Sequence, residues 1–200
     1  MKKTNISTKK IDAITIKLAM SGDFNIVLTA ITKEDKKLSF FASNIKRSNK
    51  KQSIPEIFDI CSFEIIEKEE DKLSKLKDYK FISNFKNLRD NFTKLCASTT
   101  LIEATNNLVK DGDTTKNIFK LLSSSLFLID KEEETLKVFK ILYDTLFELL
   151  VLLGFENRRL KKPASKKHLI SLLNKIEEVS EQKLKSLSTL LETLPKSQKK

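Results

Sequence analysis

The chain has 200 residues, 40% apolar and 32% charged, a balance that suits folded domains and excludes wholesale disorder. Its net charge of +11 divides into +5 over residues 1–80, −2 over 81–157 and +8 over 158–200, so two basic ends flank a slightly acidic middle. Three glycines, two isolated cysteines (Cys61 and Cys96) and one histidine leave no material for a glycine-cradled phosphate loop or a four-ligand zinc site.

The first eighty residues predict five strands: 11–18, 24–32, 37–45, 56–66 and 73–82. Each is short, rich in β-branched and aromatic residues, and partly alternating. Polar turns separate them at 21–23, 33–36, 46–53 and 67–72. With no helix-period segment between strands, the pattern predicts an α+β chain that opens with an antiparallel β-barrel, for which the OB-fold is the leading candidate.

After Asn84 the period changes to three and four. Phe85, Leu88, Phe92, Leu95, Cys96, Thr99, Ile102 and Leu108 predict one amphipathic helix. Gly112 is its expected stop, and Asp113 or Thr114 is the expected cap of a second helix. A long helix is predicted over 131–155, with Glu132, Glu133 and Glu134 in its first turn and Gly154 near its end. Helices over 166–179 and 181–194 follow a basic link near 156–166. The expected organisation is therefore a barrel domain, 1–82, and an all-helical domain, 83–200.

No enzyme constellation holds. The chain has no Gly-x-x-x-x-Gly-Lys-Ser/Thr loop, no Gly-x-Ser-x-Gly elbow and no His-Glu-x-x-His pair. His168, the one candidate base, lies among lysines that would depress its basicity. The acidic run Glu67–Asp71 reads as a solvated hairpin rather than a metal site. The expectation is a non-enzymatic chain without metal or other cofactor. Met1–Lys10 is polar with no long apolar core behind it, and the apolar run Leu146–Phe155 is about half a membrane span and carries Glu148. A cytoplasmic protein with no membrane association is expected.

Basic clusters carry the remaining signal. Between Lys33 and Lys51 stand seven basic residues against two acids. Lys36 and Lys37 enter the third predicted strand, and Lys46, Arg47, Lys50 and Lys51 follow it, so both ends of that strand could grip phosphates. Phe40 and Phe41 lie between them on opposite faces; one is expected in the core, and the other, with Phe40 carried as the candidate, either stacks on a base or is covered beneath the helical region. A second cluster, "RRLKKPASKKH" (158–168), contributes Arg158, Arg159, Lys161 and Lys162 as an anion-binding linker or a solubilising segment.

The order of these features resembles the bacterial DNA repair protein RecO family. In "IDAITIKLAMSGDFNIVLTAITKEDKKLSFFASNIKRSNKKQS" (11–53), Gly22-Asp23 matches the family's first turn, Thr32–Leu38 its second, and Asn44–Lys51 its basic loop. "IPEIFDICSFEII" (54–66) is similar to the segment after that loop. "FKILYDTLFELLVLLGFE" (139–156) is similar to the helix ending in Leu-Gly-Tyr/Phe, and "LKSLSTLLETL" (184–194) to the last Leu-Lys-Ser helix. The chain departs at Ser43-Asn44 and Lys36, where the family has glycine, and a lysine-rich link stands where many members carry a four-cysteine zinc insert. The resemblance implies a recombination mediator that binds single- and double-stranded DNA, anneals strands coated by single-stranded DNA-binding protein (SSB), and with RecR helps load RecA. The residues by themselves also admit an RNA-binding or ribosome-associated barrel, or a protein-interaction scaffold whose charge serves solubility.

Overall fold

The computed structural model describes residues 8–22, 25–43, 55–66, 73–111 and 116–194. Two compact units are present: Met1–Asn84 with Asp111–Thr114, and Phe85–Lys110 with Thr115–Lys200.

The first unit is a five-stranded sheet: β1 (Thr8–Met20), β2 (Ile26–Thr32), β3 (Lys37–Ala42), β4 (Ile60–Ile66) and β5 (Ser74–Ser83). The first part of β1 pairs with β4, from Thr8↔Ile66 to Ile14↔Ile60, and its later part pairs with β2, from Ala13↔Thr32 to Met20↔Ile26. A register shift between Thr15 and Lys17 lets one strand serve both neighbours, because a bulge bends the strand and sharpens its twist. The order β1-β2-β3-β5-β4 returns to β1, so the sheet closes on itself. The predicted all-antiparallel arrangement fails at one pairing: β3 and β5 run parallel, through Phe40↔Ser74 and Phe41↔Lys75. No helix is needed for that crossover, since the chain reaches β5 by way of β4 on the other side of the ring.

Alternation decides what fills the interior. Ile11, Ala13, Leu28, Ala30, Phe40, Cys61, Phe63 and Ile65 form the core cluster, with Leu18, Leu38, Leu76, Tyr79 and Phe81 packed against it. The rings of Phe40 and Phe63 lie 5.8 Å apart. The fourth strand starts later than its apolar pattern predicts. Residues 56–59 instead form a turn in which Asp59 Oδ2 accepts from the Glu56 amide at 2.8 Å. This turn docks at the β1 bulge, where Thr15 N donates to Asp59 O and Phe58 N donates to Thr15 O, both at 2.9 Å.

The second unit holds α1 (Lys86–Asp90), α2 (Phe92–Leu108), α3 (Ile118–Lys131), α4 (Thr135–Leu152), α5 (Lys166–Ser180) and α6 (Leu187–Thr193), with a 3-10 turn at Arg158–Leu160. The single helix predicted after Asn84 is broken at Asn91, whose side chain caps α2 by accepting from Lys94 N at 3.1 Å. Phe92, expected on the apolar face, is 62% exposed. The helix is also not amphipathic. It touches α1, α3, α4, α5 and α6 and buries Ala97, Ser98, Thr100, Leu101, Ala104 and Thr105 around its circumference. Thr100 and Thr105 lose no hydrogen bond there, since each hydroxyl donates to the carbonyl four residues back.

Carboxylates fix the neighbouring helices. Asp130 accepts from Leu88 N at 2.9 Å and Asn87 Nδ2 at 3.2 Å, which holds α1, and its carbonyl accepts from the buried Lys94 amine at 3.0 Å. Glu103 accepts from the amides of Lys185 and Ser186 at 2.8 and 2.9 Å, ahead of α6. Glu132, Glu133 and Glu134 were expected in the first turn of the long helix. They form the connection between α3 and α4, because α3 continues to Lys131. The far end of α4 closes as expected at Gly154, where φ is +81. Gly154 N donates to Val151 O and Phe155 N to Leu150 O, the paired bonds of a Schellman ending. The expected stop and caps at Gly112, Asp113 and Thr114 lie outside the described residues.

Leu146, Leu149 and Leu150 of α4 are fully buried, so Leu150→Ala removes packed atoms from the centre of the helical unit. A loss of about 2–5 kcal/mol is expected in chemical denaturation. An unchanged midpoint would mean that this face is not core.

Candidate nucleic-acid interface

At the barrel, Lys36 is exposed in the β2–β3 turn. Thr32 N donates to Lys36 O at 2.8 Å, Lys36 N donates to Thr32 Oγ1 at 3.2 Å, and Asp35 sits in the left-handed region. This is a three-residue hairpin loop with a left-handed third position, and it points the Lys36 amine to solvent. Lys37, one residue on, faces the other way. Its side chain is 11% exposed and its amine lies 3.3 Å from Asp111 Oδ1 in the same unit.

Phe40 corrects a sequence expectation. It is 1% exposed in the core cluster, so its ring is closed to a base; the strand alternation turns Phe40 inward and leaves Phe41 half-buried on the outer side. The outer side of β2 and β3 has little free surface elsewhere: Ile31 is buried, and buried Thr29 bonds Ser39 Oγ at 3.0 Å. Across β1, β4 and β5 the outward charges are of both signs. Lys10 is opposite Glu64, Glu64 is opposite Asp78, and Lys77 pairs with Glu64 at 2.7 Å. Lys46, Arg47, Lys50 and Lys51 lie outside the described residues, as does the acidic run Glu67–Asp71.

The second cluster is ordered along α4 rather than being a free linker. Arg158 forms a two-pronged ion pair with Glu148, with Nε 3.3 Å from Oε2. Lys161 Nζ lies 2.7 Å from Asp144 Oδ1 and 5.9 Å from the centre of the Phe147 ring. Tyr143 Oη donates to Lys162 O at 3.0 Å. Next, His168 Nδ1 lies 2.8 Å from Pro163 O, and the Ser165 hydroxyl caps α5 by accepting from His168 N at 3.2 Å. Arg158 and Lys161 are thus engaged by carboxylates, while Arg159 and Lys162 are exposed.

Sequence reasoning missed Lys140, Asp144, Glu148 and Lys166 as site residues. The signal for two of them was present: Asp144 and Glu148 stand four apart on one helix, a spacing that puts both carboxylates on one face. Lys140 and Lys166 line a cavity of about 340 Å³ whose other walls include Leu136, Phe139, Tyr143 and Leu169. Nothing in the linear order brings these elements together.

Among the described residues, no group of three or more His, Cys, Asp or Glu side chains could hold a metal ion, and no helix is long and apolar enough to cross a membrane. No family model and no curated protein matches the chain.

The thiols are poor nucleophiles. Burial first, and the nearby Asp59 second, push Cys61 up to about 12, and burial likewise raises Cys96. Both cysteines are therefore protonated at neutral pH, and a thiolate-seeking reagent should label neither until denaturant is added. Rapid labelling of the native chain at pH 7, read by mass spectrometry, would contradict their placement.

Proposed function

We propose that the chain is a RecO-like recombination mediator: a non-catalytic, cytoplasmic protein that binds single- and double-stranded DNA, promotes strand annealing, and works with RecR and SSB to load RecA. The observation that carries the reading is the strand order β1-β2-β3-β5-β4, with β1 paired on both sides and β3 parallel to β5. A five-stranded barrel closed in this way, placed ahead of a helical unit, fits the OB-fold, a recurring scaffold for oligonucleotides.

In OB-folds the outer side of the second and third strands and the loops flanking it carry the ligand. Here that side is short of free surface, and the loop between β4 and β5 carries Glu67, Glu69, Glu70 and Asp71 against Lys68 and Lys72. Phosphate contact on this unit is therefore assigned to Lys36 and to Lys46, Arg47, Lys50 and Lys51, with Lys37 partly neutralised by Asp111.

The test is a titration of labelled single-stranded DNA across a salt series. Each lost phosphate contact lowers the slope of log affinity against log salt by about 0.7, so replacing Lys46, Arg47, Lys50 and Lys51 by alanine should flatten it by up to about 3. A wild-type chain that binds no DNA at moderate salt would sink the reading. A preference for RNA in direct competition would favour the ribosome-associated alternative.

The cavity beside α4 bears on protein partners. Its apolar floor and its lysines, Lys140 and Lys166, are complementary to an apolar side chain flanked by carboxylates. We assign it to SSB. Leu136, 69% exposed at this cavity, tests the assignment: Leu136→Ala, which adds no charge beside Lys166, should weaken SSB capture roughly tenfold and leave DNA binding unchanged. Undiminished SSB binding by that variant would place the partner elsewhere.

A further inference from the structure

We infer that the helical unit carries a second phosphate-binding surface made by Arg159, Lys162, Lys166 and Lys167, and that Asp144 and Glu148 of α4 act as internal counterions holding Arg158 and Lys161 out of it. The inference rests on the polyanion-binding reading above and deepens it, since Lys166 and Lys167 join the surface while two of the cations expected from the sequence leave it.

Six cations stand between Arg158 and Lys167 with no acid among them. Two are occupied: Arg158 by Glu148, and Lys161 by Asp144 at 2.7 Å. The other four are exposed, and no described carboxylate lies within ion-pair distance of them. Some exposed cations elsewhere in this unit find acids, as Lys137 does with Glu134 and Lys183 with Glu177, and others such as Lys86 and Lys120 pair with no described carboxylate; what sets these four apart is that they stand together in one short segment. Like charges left together in one short segment repel one another, and an incoming phosphate relieves that repulsion.

The backbone beneath the four is already fixed. Tyr143 holds the carbonyl of Lys162, His168 holds that of Pro163, and Ser165 caps α5. An anion would thus order side chains only, which lowers the entropic cost of binding. The capping hydroxyl already uses the His168 amide, so the attraction comes from the four side chains and not from the helix end.

A nucleic-acid backbone fits better than a lipid surface. Peripheral membrane helices need an apolar face to insert, and α5 spends Leu169, Leu172, Leu173 and Ile176 on the core of its own unit. Leu160 is the lone exposed large hydrophobic side chain among these cations.

The test uses the full chain with single-stranded DNA across a salt series. Arg159, Lys162, Lys166 and Lys167 replaced together by alanine should lower the slope by up to about 3, with an unchanged thermal melt because these exposed side chains hold nothing in place. Asp144→Asn with Glu148→Gln should do the opposite, raising the slope by up to about 1.4 as two cations are released. If the wild type binds DNA and the barrel-loop variant weakens it while both of these variants keep the wild-type slope, the inference falls and the wider reading stands. A wild type that binds no DNA removes both. Binding to vesicles rich in anionic lipid, abolished by the quadruple variant while DNA binding is untouched, would overturn the nucleic-acid assignment.

Discussion

The barrel depends on β1 changing its partner along its length. A strand has two edges, and here the early residues give one edge to β4 while the later residues give the other to β2. The bulge between Thr15 and Lys17 supplies the bend that makes both pairings possible. Ile14, Thr15 and Ile16 are all buried around this bend, although alternation puts Thr15 on the face opposite the other two. Closing the ring satisfies the ladder hydrogen bonds that open edges would expose, and it encloses the Phe40–Phe63 contact.

The helical unit is organised around α2 in a comparable way. A helix contacted on all sides needs small side chains for close approach, which the run from Ala97 to Thr105 supplies, and internal partners for its hydroxyls, which Thr100 and Thr105 find in the preceding turn while the buried Ser98 hydroxyl finds none. Long carboxylates then reach across to backbone amides that precede or open other helices. Asp130 reaches α1 in this way, Glu103 reaches α6, and Glu177 accepts from Leu184 N at 2.8 Å. The Lys183 amine and that amide together hold the Glu177 carboxyl below its ordinary range.

Charge on this protein is sorted by geometry rather than by count. Among the described residues, the basic ends evident in the composition resolve into cations that already have an acid and cations that do not. Lys37, Arg158 and Lys161 belong to the first class, and Lys36, Arg159 and Lys162 to the second. A polyanion must compete with Asp111, Asp144 or Glu148 for the first class and with no described carboxylate for the second. Functional weight therefore falls on a subset of the lysines and arginines that charge density alone would treat as equal.

By itself the sequence determined the α+β order, the positions of the strands and of most helices, the α4 ending at Gly154, and the two basic clusters. These follow from local physics: side-chain period, turn residues, the left-handed tolerance of glycine, and the linear density of charge. The parallel β3–β5 pairing, the break at Asn91, the burial of α2 all round and the anchoring of Arg158 and Lys161 were not legible there. Each depends on which segments meet, and period-based reading has no term for a partner distant in the chain. Phe40 and Phe41 show the division most plainly. Alternation stated that the two rings face opposite sides, and only the closed ring of strands decided that Phe40 is the one inside, because it faces Phe63 across the enclosed core.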